Sequence, residues 1–390
     1  MARPDLSKLR LETRLALAGR DPKRSEGGVN PPVQRATTLL IDDTDDLYNT
    51  PKPTYALDGM AVQQALREAL VAIEGGADAT LAPSGLAACT LALTTVARAG
   101  GELLVTDAIY APTRRFCDTA LKRLGVRTRY FDPRIGAGIA ELITDETCGV
   151  FLESPGSLTF EVQDVGAIAS AAHARNVPVL LDNTWSAGVY FKPFDHGVDL
   201  SIQALTKYQA GHADVFMGAV IGGDEHWVQR ARLTAKQIGF AVSPDDAYLA
   251  LRGLRTLGLR LERQSASALR IAQLLEERAE VARVLHPALP SHPDHATWSR
   301  DFSGAAGLFA CVLKPAPPER LKAMLEGYQI FSMGFSWGGY ESLIVPTDEN
   351  IRRSVTKWIA EGPLLRLSIG IEHVDDLISD LEAGFARLTG

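Results

Sequence analysis

Between residues 103 and 221, short apolar runs alternate with amphipathic segments, and the runs end on polar, potentially reactive side chains. The pattern predicts strands over 103–106, 149–153, 177–181, 198–202 and 215–221, with helices over 113–124 and 165–175. Strands of four to eight residues separated by helices fit one arrangement best, a mostly parallel α/β sheet between helices. Ligands in such sheets lie beyond the carboxyl ends of the strands. Asp107, Tyr110, Glu153, Asp182 and Lys207 all fall at or just after those ends, so the pattern alone makes them candidates for one site.

The flanking regions read differently. Up to about residue 53 the chain has little periodicity and predicts an extended arm with a short helix over 6–18. A helix follows over 62–74, with Leu66, Ala69, Leu70 and Ile73 on one face, closed by Gly75-Gly76. Beyond the sheet, a long helical region is expected from 245 to about 284, then a loop rich in proline and histidine over 286–295. Strands near 307–313 and 364–371 and helices near 318–327 and 374–388 predict a smaller α+β domain. The expected division is an arm (1–60), a large ligand-binding domain (61–245) and a small C-terminal domain (246–390).

Composition narrows the class of function. The 390 residues are 46% hydrophobic and 22% charged, enough for a large buried core. A net charge of −7 argues against nucleic acid as a partner. The doublets Arg114-Arg115 and Arg352-Arg353 read as surface charge. Cys89, Cys117, Cys148 and Cys311 are too dispersed for a zinc site, so no metal is expected and free thiols in a reducing cytoplasm are the default. The charged N-terminus lacks the apolar core of a signal peptide. Residues 79–97 carry no charge and have the length of a membrane span, but Pro83, Gly85 and several hydroxyl residues favour a buried helix behind a glycine turn, not a membrane.

The chemistry centres on two residues twenty-five positions apart. Lys207 can condense with an aldehyde, and Asp182 can hold a ring nitrogen protonated. Together they suggest pyridoxal 5′-phosphate (PLP). Ser84-Gly85-Leu86 at a helix start offers free amides to a phosphate, although a plain N-cap serine would look the same. Tyr110 could stack on a cofactor ring or be an ordinary half-buried tyrosine. Arg366 within an apolar strand needs an anion, either a substrate α-carboxylate or an internal acid. Thr206 is a phosphate ligand or strand filler. Gly136-Ala-Gly138 fails as a dinucleotide fingerprint because Glu141 stands where the third glycine belongs. His292 and His295 lie in a proline-broken loop unsuited to metal binding, and His212 reads as structural.

These residues also form a recognisable set. The segments 153–165, Asp182-Asn183-Thr184-Trp185, Thr206-Lys207-Tyr208 and 252–258 resemble the Cys/Met-metabolism family of PLP enzymes, fold type I, over almost the whole chain. Trp185 and the stretch Gly334-Phe335-Ser336-Trp337-Gly338 are most similar to its bacterial cystathionine β-lyase branch. γ-Acting relatives tend to carry Asn-Pro in place of Ser157-Leu158. The resemblance implies a seven-stranded sheet and a carbon–sulfur β-lyase that cleaves L-cystathionine. A γ-lyase or γ-synthase, a cysteine-conjugate lyase, or a protein that binds PLP without turnover are the rivals. It further implies Lys207 as the Schiff-base lysine and proton shuttle, Asp182 against the pyridinium nitrogen and Tyr110 on the ring. Ser84, Gly85, Leu86 and Thr206 would hold the phosphate, and Ser336, Trp337 and Arg366 the substrate carboxylate region. Tyr55 would reach the phosphate of a neighbouring subunit, implying a homo-oligomer, by analogy a tetramer with sites shared across a dimer. The chain departs from the family at Leu57, where relatives place an arginine, and at Ala204, where many have a hydroxyl. With Asp58 adjacent, weaker cofactor retention or a substitute cation (Lys52 or Arg35) is expected.

Overall fold

The computed structural model describes residues 4–48 and 53–390. Seven strands form the principal sheet: β1 (Asp78–Ala82), β2 (Glu102–Thr106), β3 (Arg127–Phe131), β4 (Thr147–Glu153), β5 (Val179–Asp182), β6 (Leu200–Gln203) and β7 (Gly218–Gly222). Their order is β1-β7-β6-β5-β4-β2-β3. The pairs from β3 through β6 are parallel, and β7 runs antiparallel to both β6 and β1. The sheet is mostly parallel, as the alternation predicted.

Successive strand residues enter two separate cores. Leu103, Val105, Phe151 and Leu180 pack with the helix Gly85–Val96. Leu104, Val150, Leu152, Val179 and Leu181 pack on the other face, in the core that also holds the helices Ala61–Glu74 and Val165–His173. Burial on both faces explains why these strands read as continuous apolar runs. The uncharged stretch 79–97 is β1 followed by the helix Gly85–Val96, and no described helix is long and apolar enough to cross a membrane.

A second sheet contains β8 (Val281–Leu285), β9 (Leu308–Leu313), β10 (Leu343–Pro346) and β11 (Leu364–Ser368), all antiparallel in the order β10-β11-β9-β8. The helices Leu257–Glu276, Pro318–Glu326 and Val374–Thr389 share its core.

Several expectations are corrected. The helical region over 245–284 is two helices, Pro244–Leu254 and Leu257–Glu276, and its tail is β8, recruited by pairing with β9. β1, β3 and β10 were not anticipated. β3, with the sequence Arg-Thr-Arg-Tyr-Phe, lies at the sheet edge, so its polar residues face solvent. Arg114 and Arg353 are not surface charges. Their side chains are 9% and 7% exposed, and Arg114 pairs with Asp107. Asp107 lies outside the ligand cavity, because its carboxylate receives the backbone N–H groups of Ser354, Val355 and Thr356 instead.

Candidate functional site

At the carboxyl end of the principal sheet a cavity of about 470 Å³ opens between the two sheets. It gathers nearly all the candidate residues. Asp182 and Glu153, ending β5 and β4, line it together with Tyr110, Thr206 and Lys207. Ser84, Gly85 and Leu86 enter from the start of the helix Gly85–Val96. Ser336, Trp337 and Arg366 enter from the C-terminal half.

Lys207 lies on a tight turn after β6, where its N–H bonds to Ala204 O at 3.0 Å. Its Nζ donates to Ser336 Oγ at 2.7 Å and lies 5.1 Å from the centre of the Trp337 ring. Burial, with Arg366 nearby, lowers its pKa to about 8, against the opposing pull of Asp182. A half-buried amine whose pKa lies well below the ordinary lysine value gives up its proton more readily, which suits nucleophilic and base chemistry. Ser336 is held at φ 87°, a conformation sparsely populated by residues with a side chain. Gly338, at φ 81°, lets the same segment close on the lysine turn, since a Cβ there would lie 3.1 Å from Tyr208 N.

Asp182 is half-buried at the cavity floor, and desolvation there raises its pKa. Its Oδ1 receives the Thr184 hydroxyl at 2.5 Å and the Thr184 N–H at 3.1 Å, while the Cys89 thiol lies 3.5 Å from Oδ2. A carboxylate placed so deep is best completed by a cationic partner. Glu153 takes the Tyr110 N–H at 2.7 Å, and its pKa is pushed well up by burial and by Asp182. Tyr110 lines the cavity and is 43% exposed, which leaves it accessible for stacking.

Arg366 is buried, and burial lowers its pKa to about 10. Its Nη2 donates to Ser336 O at 2.9 Å, its Nε has no hydrogen-bond partner, and no carboxylate pairs with it among the described residues. The internal acid that was its alternative partner is not there. A buried, incompletely bonded guanidinium aimed into a cavity has the chemistry to take a carboxylate in a forked pair.

The Ser84 Oγ accepts the Ala87 N–H at 3.0 Å, so the serine is a true N-cap and still keeps its own hydroxyl proton. The first-turn amides of Gly85 and Leu86 lack intrahelical acceptors, as at any helix start. Gly85 is required here, because a Cβ would meet Ala204 Cβ at 2.5 Å. Thr206 is less available than expected. Its hydroxyl bonds to Met217 O at 3.1 Å and accepts the Met217 N–H at 3.0 Å.

The donor set fits PLP: an amine for the aldehyde, a buried acid for the ring nitrogen, an open aromatic face and a helix start for the phosphate. The departure at Leu57 stands. Leu57, Tyr55 and Asp58 line a different cavity, with Asp58 paired to Lys236. Arg35 is engaged by Asp245, and Lys52 lies outside the described residues. Among the described residues, Lys207 and Arg366 are the cations lining the main cavity.

Sequence reasoning missed Thr184 and Arg260. Arg260 is buried and donates to the carbonyls of Tyr208 at 2.7 Å and Gly253 at 2.8 Å, bracing the turn after Lys207. Its place in an ordinary helical charge pattern gave no signal. Thr184 was visible only as part of a motif.

With this geometry established, comparison with known proteins is specific. The family model for Cys/Met metabolism PLP-dependent enzymes matches residues 12–386. The chain is 43% identical to the cystathionine beta-lyase MetC of Escherichia coli over 97% of its own length and 99% of that protein. It is also 43% identical to the cystathionine beta-lyase of Salmonella typhimurium, over 97% and 98% respectively. The crystal structure of a cystathionine gamma synthase from Xanthomonas oryzae, in complex with aminoacrylate and cysteine, superposes with a TM-score of 0.91 at 32% identity, covering 98% of this chain and 99% of that one. The fold, the cavity and the match over nearly the whole sequence together place this chain in the Cys/Met metabolism family of PLP-dependent enzymes.

Proposed function

We propose that this protein is a carbon–sulfur β-lyase that cleaves L-cystathionine with water to homocysteine, pyruvate and ammonia. One observation carries the reading. Lys207 Nζ, the Asp182 carboxylate and the unpaired Arg366 guanidinium line one cavity. The relatives named cystathionine beta-lyase support β-elimination over the γ-acting alternative.

Pyridoxal 5′-phosphate, when bound, supplies an aldehyde for the amine and a ring that withdraws electrons from Cα. The chain's residues do the rest. Arg366, with Ser336, binds the α-carboxylate and so orients Cα. Lys207, as a neutral amine, takes the Cα proton; its lowered pKa makes that form more accessible than for an ordinary lysine. Asp182, fixed by Thr184, keeps the ring nitrogen protonated. Tyr110 stacks on the ring, and the departing thiolate receives its proton from Lys207. Ser84 and the amides of Gly85 and Leu86 hold the phosphate.

A second copy of the chain completes the assembly. Tyr55 lies outside the Lys207 cavity and is 53% exposed, and Leu40 and Tyr48 in the same arm are 95% and 86% exposed. Apolar side chains left open in this way suit a partner's surface. On this reading, and by analogy with the family, the arm reaches a neighbouring subunit's site in a homo-oligomer, a tetramer of two dimers. Four buried, unpaired cysteines suit a reducing cytoplasm.

The decisive experiment incubates the purified protein and PLP with L-cystathionine and identifies the keto acid. Pyruvate is expected. 2-Oxobutyrate would assign the γ-lyase class, and no keto acid would remove the lyase reading.

A further inference from the structure

The irregular segment 351–361 precedes β11, the strand that carries Arg366. It forms a strap across two loops of the principal sheet. Asp107, after β2 and three residues before Tyr110, receives the N–H of Ser354 at 2.9 Å, of Val355 at 3.0 Å and of Thr356 at 2.8 Å. The hydroxyls of Ser354 and Thr356 add bonds at 2.9 and 3.0 Å.

Arg353 extends this anchorage to the second loop. Its Nη1 donates to Asp107 O at 2.6 Å, and its Nη2 donates to Thr159 Oγ1 and lies 3.4 Å from Glu161 Oε1. Thr159 Oγ1 also bonds Glu161 Oε2 at 2.6 Å. These two residues flank Phe160, which lines the cavity with Leu158. Leu158 and Phe160 sit at φ 68° and 60°, where residues with a side chain are rarely found. Such a conformation persists only when the surroundings over-determine it. The loop's own bonds are few: Phe160 N–H to Gly156 O at 3.0 Å, Gly156 N–H to Glu161 O at 2.8 Å and the Thr159 hydroxyl to Ser157 O at 3.4 Å. One backbone bond, Ser157 N–H to Ala108 O at 2.8 Å, ties its first turn to the Tyr110 loop and leaves the Thr159 end to Arg353.

We propose that Arg353 is a positioning residue for the reaction. It fastens the cavity wall made by Leu158 and Phe160 to the wall that carries Tyr110. The opening that receives the substrate is thereby fixed by a strap from the C-terminal half. Arg353 touches no reacting atom and acts through Thr159 and Asp107.

The test uses Arg353→Met, Arg353→Lys and Thr159→Val in the PLP-loaded protein. Amide hydrogen exchange over 156–161 is expected to accelerate about tenfold in Arg353→Met and Thr159→Val, with β5 unchanged. KM for L-cystathionine rises about tenfold while kcat falls less. Arg353→Lys restores part of both, since one donor can still reach Thr159 or Asp107. Thr159→Val leaves the Asp107 anchorage intact, so it decides the matter if Arg353→Met fails to fold. Wild-type exchange over 156–161 in the folded variants would overturn the proposal. So would accelerated exchange with an unchanged KM. The kinetic arm rests on the β-lyase reading, whereas the exchange arm does not. If the wild type releases no keto acid, the lyase reading fails and exchange alone decides the clasp.

Discussion

Thr184 Oγ1 lies 2.5 Å from Asp182 Oδ1 and accepts the Ala204 N–H at 2.9 Å. One hydroxyl therefore joins the buried acid to the turn that carries Lys207, where the Lys207 N–H bonds to Ala204 O. The two groups on which the proposed chemistry rests are thus set relative to each other by one threonine side chain.

Thr184→Val should leave Asp182 short of a charge-assisted donor worth about 1.5–3 kcal/mol. The carboxyl, already shifted up by burial, then resists ionisation further. Pyruvate formation is expected to fall by one to two orders of magnitude, with Thr184→Ser close to wild type. Absorbance titration of the bound cofactor checks the cause, because the ring nitrogen should lose its proton at lower pH in the valine variant.

Arg366→Leu should raise KM about a hundredfold by removing the carboxylate receptor, with Arg366→Lys recovering little because a lysine lacks the fork. The same leucine variant should not unfold the protein. Arg366 is buried with Nε unpartnered, so its removal relieves an uncompensated charge and Tm should hold or rise. Steady-state kinetics and a thermal melt on one preparation separate the two effects.

Lys207 makes stability depend on pH. Its folded pKa, near 8, lies below the ordinary 10.5, so the folded state favours the neutral amine. The penalty is full below pH 8 and fades as pH rises from 8 to 10.5. Cofactor-free Lys207→Met should therefore melt higher than cofactor-free wild type at pH 7, and the gap should close toward pH 10.5. Without the ε-amine, the loaded variant should lose activity by at least about a hundredfold.

Leu57→Arg tests the shared site. If the arm reaches a neighbouring phosphate, the new guanidinium should tighten PLP retention about tenfold, equivalent to one charge-assisted bond. Dialysis against a competing amine, followed by absorbance, measures it. Unchanged retention would mean that the arm does not approach a partner's phosphate.

Much of this was legible in the chain. Continuous apolar runs ending on Asp182 and before Lys207 required a sheet buried on both faces, with its reactive groups at one rim. The helix start at Ser84-Gly85 and the buried cation at Arg366 followed from local residue types. β8 was not legible, because Val281–Leu285 follows a long helix without a break and becomes a strand only by pairing with β9. Arg353 read as surface charge because its acceptors lie far away in the sequence, and Arg114 because the loop that turns it back onto Asp107, seven residues earlier, has no periodic signature.

The sequence by itself therefore determined the layered α/β architecture and singled out candidate side chains that the fold gathers in one cavity, since periodicity and residue chemistry are local properties. Only the tertiary structure decided that Arg366 lacks an internal acid, that Asp107 anchors a strap rather than a ligand, and that Thr184 ties the acid to the lysine turn. Those outcomes depend on which groups meet across more than a hundred residues of chain or on the direction in which a hydroxyl points, and hydrophobic patterning carries no record of either.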